Sequence, residues 1–317
     1  MYDILIAGGG TAGLSAAIYG VRAGKKVIVL EQKSYGGQIV NSKEIVNYPG
    51  IPKISGFEFA KGLYEQATGL GAEYRLGKVI HIERVANGES QNAEKGEESY
   101  LLVTARNTDG TIQSYRTRTV ILATGAKNRP LGLDREDVLT GAGVSYCATC
   151  DGMFFRGKDV AVVGGGNTAL EDALFLSGYC RRVYLIHRRE EFRGEEKLLG
   201  NLREKENVVV IVNSVVQELM GDTVLSGVKI CDTVSGEISE LPVSGLFVAI
   251  GQMPDNGDFE NLVELDDKGY ILAGEDCMTD TEGIFTAGDC RTKIVRQLAT
   301  AASDGAVAAL AACELIG

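Results

Sequence analysis

The 317-residue chain reads as an α/β protein built from two Rossmann-like dinucleotide-binding domains. Three observations predict this: a βαβ pattern near the N-terminus, a second copy of that pattern at a constant offset, and a length that suits two cores. At about 100–200 residues per domain, length alone points to two domains. The 41 glycines, spread through apolar runs beside only 5 prolines, suit a fold with many tight turns.

The first copy opens on Ile4-Leu5-Ile6-Ala7, an apolar run that reads as a buried first strand and not as a signal peptide. Gly8-Gly9-Gly10-Thr11-Ala12-Gly13 follows, then a helix-like segment with Ala17 and a second strand, Val27-Ile28-Val29-Leu30. With no gap, at an offset of 156 residues, the order recurs: Val160–Val163, Gly164-Gly165-Gly166-Asn167-Thr168-Ala169, Ala173, and Val183–Ile186. In each copy the first glycine (Gly8, Gly164) makes a tight turn. The second (Gly10, Gly166) lets backbone approach a pyrophosphate, and the third position (Gly13, Ala169) lets helix and strand pack closely. Asn167 and Thr168 lie inside the second loop and join its predicted cofactor-binding residues. A lone glycine fingerprint is weak evidence; a repeat of strand, loop, helix and strand is not.

The ends of the second strands differ. The first copy has Glu31, a carboxylate able to accept from ribose hydroxyls. The aligned residue in the second is His187, followed by Arg188, Arg189 and Arg193. Guanidinium groups pair with a 2′-phosphate that a carboxylate would repel, so the second site reads as one for NADPH rather than NADH. The alternative is a solvated strand end balanced by Glu190, Glu191, Glu195 and Glu196.

Seven cysteines, five of them scattered singly, argue against a secreted disulfide framework. Cys147-Ala148-Thr149-Cys150 stands apart. Half a zinc site would need a second close pair of ligands, and the only histidines are His81 and His187, so a redox dithiol is the better reading. Asp151 adjoins it and could move protons; its other reading is as a cap for the segment that follows. The net charge of −11 argues against nucleic acid or an anionic membrane as a partner. No uncharged run of about 18 apolar residues is present, which points to a soluble, cytoplasmic protein.

Taken in order, these motifs resemble the low-molecular-weight thioredoxin reductases along nearly the whole chain. To the two fingerprints, the dithiol with Asp151 and His187-Arg188-Arg189-x-x-x-Arg193 are added Gly36-Gly37-Gln38, Asn47-Tyr48-Pro49-Gly50 and Ala123-Thr124-Gly125. Gly283–Asp289 and Arg296-Gln297 complete the set. The resemblance implies FAD at the first site, with its pyrophosphate on Gly8–Gly13 and its ribose on Glu31. Gln38, Asn47, Gly125 and Arg296 would belong to that site, Asp289 would hold the ribityl region, and Gln297 would lie near the isoalloxazine. Taken alone, Gly288-Asp289 could equally be a helix cap.

The resemblance also implies that the NADPH domain is inserted into the FAD domain: residues 1–126 and 252–317 for FAD, 127–251 for NADPH and the dithiol. The crossings fall near Lys127–Pro130 and Gly251–Pro254, and the polar run 88–98 reads as a surface excursion. Electrons would pass from NADPH through FAD to the Cys147–Cys150 disulfide, with Cys150 facing the flavin and Cys147 attacking a thioredoxin-like partner. A dithiol that shares a domain with the NADPH site must take turns at one flavin, so alternation about the crossings is expected. A homodimer is implied by the resemblance alone. Two departures stand out, Gly194 at the end of the arginine turn and Leu298 between Gln297 and Ala299.

The nearest competing reading is a flavin dithiol oxidase on the same scaffold, which shares the dithiol but not the arginines. Ferredoxin-driven relatives are disfavoured on the same ground. A peroxiredoxin-reducing relative carries an extra N-terminal domain, and glutathione-reductase-like enzymes carry C-x-x-x-x-C near the N-terminus. A non-catalytic NADP sensor leaves the dithiol unexplained.

Overall fold

The computed structural model describes residues 1–42, 44–86 and 99–317; the excursion expected at 88–98 lies outside the described residues. The chain divides into two compact units, Met1–Lys127 with Met253–Gly317, and Asn128–Gln252.

In chain order the first unit begins with β1 (Tyr2–Ala7), α1 (Thr11–Arg22), β2 (Val27–Glu31), α2 (Gly56–Gly69) and β3 (Glu73–Leu76). A meander follows: β4 (Lys78–Val85), β5 (Tyr100–Arg106) and the long β6 (Ile112–Leu122). After β7 (Ala126–Asn128) the second unit holds α3 (Glu136–Leu139), β8 (Val144–Ser145), α4 (Ala148–Asp151), β9 (Asp159–Val163), α5 (Asn167–Ser177) and β10 (Arg182–Ile186). It continues with α6 (Glu196–Arg203), β11 (Val208–Ile211), β12 (Ser214–Met220), β13 (Gly227–Asp232), β14 (Ile238–Leu241) and β15 (Gly245–Val248). β16 (Gln252–Pro254) pairs with β7, so both chain crossings share one two-stranded ribbon. β17 (Ile284–Thr286) and α7 (Leu298–Ile316) complete the first unit.

The repeat in sequence is a repeat in topology. The first unit's main sheet runs β3-β2-β1-β6-β5-β4, with β17 also on β6; the second unit's runs β11-β10-β9-β15-β8. β1 and β9 each lie between the strand that follows them and one arriving from far along the chain. That reversal opens a crevice at the C-terminal strand ends, where such sheets take ligands. Both glycine loops stand there. Ile4, Leu5 and Ile6 are wholly buried with no apolar–polar alternation, because a parallel strand is covered on both faces. β6 serves two partners: Ile112–Thr117 pairs antiparallel with β5, and its C-terminal half runs parallel to β1.

α7 is, by length and composition, long and apolar enough to cross a membrane, but it carries Asp304 and Glu314 and so is not an uncharged apolar run. Its packing gives it another place. Ala308, Ala309 and Ala312 are fully buried in one core with Leu14, Ala17 and Ile18 of α1. Gly305 lets the two helices meet, since a Cβ there would lie 2.2 Å from the Ala12 carbonyl oxygen. Asp304, on the same helix, is buried and accepts from Arg291 Nε and Nη2, both at 2.9 Å, and from Lys293 Nζ at 2.8 Å. Removing one partner of a buried ion pair leaves a charge without water or counter-ion, at a cost of about 3–5 kcal/mol. Asp304→Ala should therefore destabilise the first unit by about that much in urea unfolding; an unchanged midpoint would contradict this account.

Candidate functional site

In the first unit, β1 runs into Gly8, whose φ of +117° suits glycine. A Cβ there would lie 2.2 Å from the Ala123 carbonyl oxygen, and one at Gly13 would lie 1.9 Å from the oxygen of Gly8. The loop is thus pressed between α1 and the end of β6, while Gly10 has nothing closer than 4.0 Å and presents open backbone. Glu31 is buried beneath the loop: its carboxylate accepts from the amides of Gly9 at 2.7 Å and Lys33 at 3.0 Å. A cleft beside it is lined by Gly8, Glu31, Gln32, Lys78, Thr124 and Asp255. Gly13→Val should deform the loop, so that, if the first-unit site takes FAD as the resemblance implies, the protein should purify without yellow colour or flavin absorbance; a yellow variant would contradict the crowding argument.

The remaining first-unit residues fall around the same strand ends. The Gln38 side-chain amide donates to the Ala126 carbonyl, and Asn47 Nδ2 donates to Gln297 Oε1 at 3.2 Å. Gly125 has φ +70° and open space around it. Gln297 caps α7, whose first helical residue is Leu298, the insertion noted in the sequence. Asp289 therefore sits in a turn well before that helix, and the helix-cap reading of Gly288-Asp289 does not hold. Its Oδ1 is buried with no hydrogen-bond partner. Burial pushes its carboxyl up, against the opposing pull of Lys293 and Arg296. Arg296 donates to the Asp289 carbonyl at 3.5 Å and lies over the Tyr270 ring.

In the second unit Gly164 repeats the role of Gly8: a Cβ there would lie 2.4 Å from the Ala249 oxygen and 2.7 Å from the Ala169 Cβ. Gly166 is open. The floor of the loop differs from the first copy. His187, aligned with Glu31, is buried with its ring against Gly165, where a Cβ would lie 2.1–2.6 Å from ring atoms. It stacks on Phe192, and its Nε2 lies 3.1 Å from the Glu191 oxygen. Burial above all, with Arg188, Arg193 and Arg189 adding, holds the imidazole below its ordinary range. His187 therefore supports the loop by packing, with burial disfavouring its charged form, whereas the three exposed arginines carry the charge.

The arginine turn is tied to the loop by its backbone, with Arg193 N and Gly194 N both donating to the Gly165 carbonyl, at 2.7 and 3.0 Å. Gly194, a departure in sequence, lies where a Cβ would meet Leu170 at 2.5 Å. Asn167 exchanges two hydrogen bonds with Glu195, and Glu196 pairs with Arg203. Those glutamates are thus engaged elsewhere, and among the described residues no ion pair involves Arg188, Arg189 or Arg193. Thr168 is exposed on the first turn of α5.

Cys147 and Cys150 form a disulfide with Cα atoms 5.3 Å apart, half-buried at the start of the four-residue α4. Ser145, which sequence reasoning missed, links the parts: its hydroxyl donates to Asp151 Oδ2 at 2.6 Å and accepts from Cys147 N at 3.1 Å. Asp151 caps nothing with its side chain, so the capping alternative falls away. Burial raises its carboxyl, with the Ser145 bond opposing. A second missed feature steadies the approach to the dithiol. Buried Glu136 accepts from the amides of Leu131, Gly132 and Leu133 and from the Tyr146 hydroxyl at 2.6 Å.

Two dinucleotide crevices and a disulfide define a class, and the comparisons agree with it. The family model "Pyridine nucleotide-disulphide oxidoreductase" matches residues 2–305. A thioredoxin reductase of Listeria monocytogenes is 40% identical over 309 residues, covering 97% of this chain and 92% of the relative. A bifunctional thioredoxin reductase/thioredoxin of Mycobacterium leprae is 40% identical over 312 residues, covering 98% of this chain and 65% of its own length. The solved thioredoxin reductase of Streptococcus pyogenes superposes with TM-score 0.89 at 37% identity, covering 100% of this chain and 98% of that one. The chain belongs to the pyridine nucleotide-disulphide oxidoreductases, and within them to the thioredoxin reductases. Its cofactors are those of the family, FAD and NADPH. The residues present fit both: a buried carboxylate oxygen without a partner at Asp289, two open glycine faces, and an arginine turn without ion pairs among the described residues.

Proposed function

We propose that the chain is a thioredoxin-disulfide reductase in which NADPH binds the second unit and FAD the first, and the Cys147–Cys150 disulfide passes electrons to thioredoxin. The observation that carries this reading is the disulfide itself, whose Cys147 amide donates to Ser145 and through it reaches the half-buried Asp151, on the unit with the arginine turn. Gly164, Gly166, Asn167 and Thr168 hold the NADPH pyrophosphate, and Arg188, Arg189 and Arg193 hold its 2′-phosphate, while His187 supports the loop. Gly8, Gly10, Gly13 and Glu31 hold the FAD diphosphate and ribose; Gln38, Asn47, Gly125, Asp289, Arg296 and Gln297 hold its remainder. When bound, FAD supplies a two-electron carrier between nicotinamide and disulfide, which hydride donors do not readily reduce directly.

The chain's own part is thiol chemistry. Reduction opens the disulfide and needs a proton for one sulfur; Asp151, kept protonated to higher pH by burial, is the donor at hand. Cys147 then attacks the partner's disulfide, and Cys150 resolves the mixed disulfide, releasing the partner's dithiol and restoring the Cys147–Cys150 bond. The acidic surface and the packed α7 support a soluble, cytoplasmic enzyme without nucleic-acid or membrane partners, and the resemblance supports a homodimer. The deciding assay compares NADPH consumption with thioredoxin, a glutaredoxin-like protein and small disulfides. Rapid turnover confined to thioredoxin supports the reading. Failure of NADPH to bleach the flavin anaerobically, with oxygen-dependent dithiol oxidation instead, would favour a dithiol oxidase.

A further inference from the structure

A buried charge cluster that the chemistry above does not use lies behind the Gly288–Asp289 turn. One oxygen of Asp304, Oδ2, accepts three donors: Arg291 Nε at 2.9 Å, Lys293 Nζ at 2.8 Å and the Gly288 amide at 3.0 Å. Its other oxygen takes Arg291 Nη2 at 2.9 Å. Arg291 alone therefore matches this carboxylate with a two-pronged pair. Lys293 is a second cation on an anion already neutralised, and only 7% of its side chain is exposed. A buried ammonium in excess is unfavourable unless another anion comes near.

Within the buried cluster two cations, Arg291 and Lys293, share the single carboxylate of Asp304, which leaves one positive charge over. Asp289 and Arg296 flank it as an opposite pair, and the carboxylates of Asp276 and Asp266 act from the rim. Protonation of Asp289, which its burial favours, would enlarge the excess. The Lys293 ammonium and the Gly288 amide share one oxygen, so the surplus charge sits directly behind the turn that carries the unpartnered Asp289 Oδ1. Ala12, at the start of α1, faces the same turn: a Cβ on Gly288 would lie 2.8 Å from its side chain.

We propose that Lys293, held in place by Asp304, is a positioning residue whose surplus positive charge complements an anionic part of bound FAD. This rests on the placement of FAD in the first unit. Two parts of the cofactor offer that chemistry, the diphosphate and the isoalloxazine after reduction. Lys293→Gln removes the surplus cation and leaves the Arg291–Asp304 pair whole, so it tests the idea without the collapse that an Asp304 variant risks.

Three quantities should be read on Lys293→Gln and Lys293→Arg: FAD affinity of the apo-protein by flavin fluorescence, flavin midpoint potential by anaerobic dye equilibration, and melting of the apo-protein. The expected result is unchanged melting with a flavin that is harder to reduce, restored by Lys293→Arg. That outcome places the anion on the reduced ring. At least about tenfold weaker FAD binding at unchanged potential, again restored by arginine, places it on the diphosphate. The inference is overturned if Lys293→Gln changes neither potential nor affinity, or if affinity and melting fall together and arginine does not restore them. Gly13→Val separates the two levels. If that variant still binds FAD, the placement of the cofactor fails; if it loses FAD while Lys293→Gln behaves as wild type, only the role of Lys293 fails.

Discussion

Cys150→Ser is expected to lower NADPH-dependent thioredoxin reduction by at least about a thousandfold, since the step it removes has no substitute among the described side chains. The five remaining cysteines are single, and Cys180, Cys277 and Cys290 are buried. Burial pushes the Cys180 and Cys277 thiols up to about 11, which keeps them protonated and poor nucleophiles. The variant retains Cys147, so it should still attack the partner's disulfide and then stall as a mixed disulfide visible on a non-reducing gel. Cys147→Ser should lose activity equally without forming that adduct. NADPH should still bleach the flavin in both variants, which locates the block after flavin reduction. Asp151→Asn keeps both sulfurs and removes the acid; a fall of about 10²–10⁴-fold is expected for the loss of a general acid. Activity near wild type in Cys150→Ser would overturn the assignment of the dithiol.

Part of this was legible because it is local. Gly8 and Gly164 need left-handed or crowded backbone, and no other residue serves there, so the need is written in the residue type. Unbroken apolar runs marked β1, β2, β9 and β10 to within two residues at each end, because buried parallel strands have no polar face to interrupt them. What escaped is set by contacts across the fold. Ser145 touches Asp151 only because the chain turns back through α4, and a serine two residues before a cysteine carries no signal of its own. Asp304 stands in sequence as a lone acid in a run of small apolar residues, and its partners Arg291 and Lys293 are fixed by a turn with no recognisable spacing. His187 was legible in place but not in role: its alignment with Glu31 found the right strand end, while only the structure shows a ring packed under Gly165, with burial pulling its pKa down.

That distinction makes the cofactor test sharper. Arg188→Ala combined with Arg189→Ala should raise the KM for NADPH about a hundredfold or more, at about 1.5–3 kcal/mol for each charge-assisted hydrogen bond lost. The KM for NADH, which has no 2′-phosphate, should change by no more than about threefold, so that preference between the two cofactors collapses. Raising the salt concentration should weaken NADPH binding in the wild type more than in the variant, because exposed arginines are screened. His187→Ala should behave differently. Removing the ring opens space beneath Gly165 and frees the turn that Arg193 and Gly194 anchor to that glycine, so NADPH and NADH should suffer alike. If the arginine variant weakened both cofactors equally, the turn would be acting through the backbone of the loop and not through its charge. If His187→Ala alone switched the preference, the imidazole and not the guanidinium pair would be reading the phosphate.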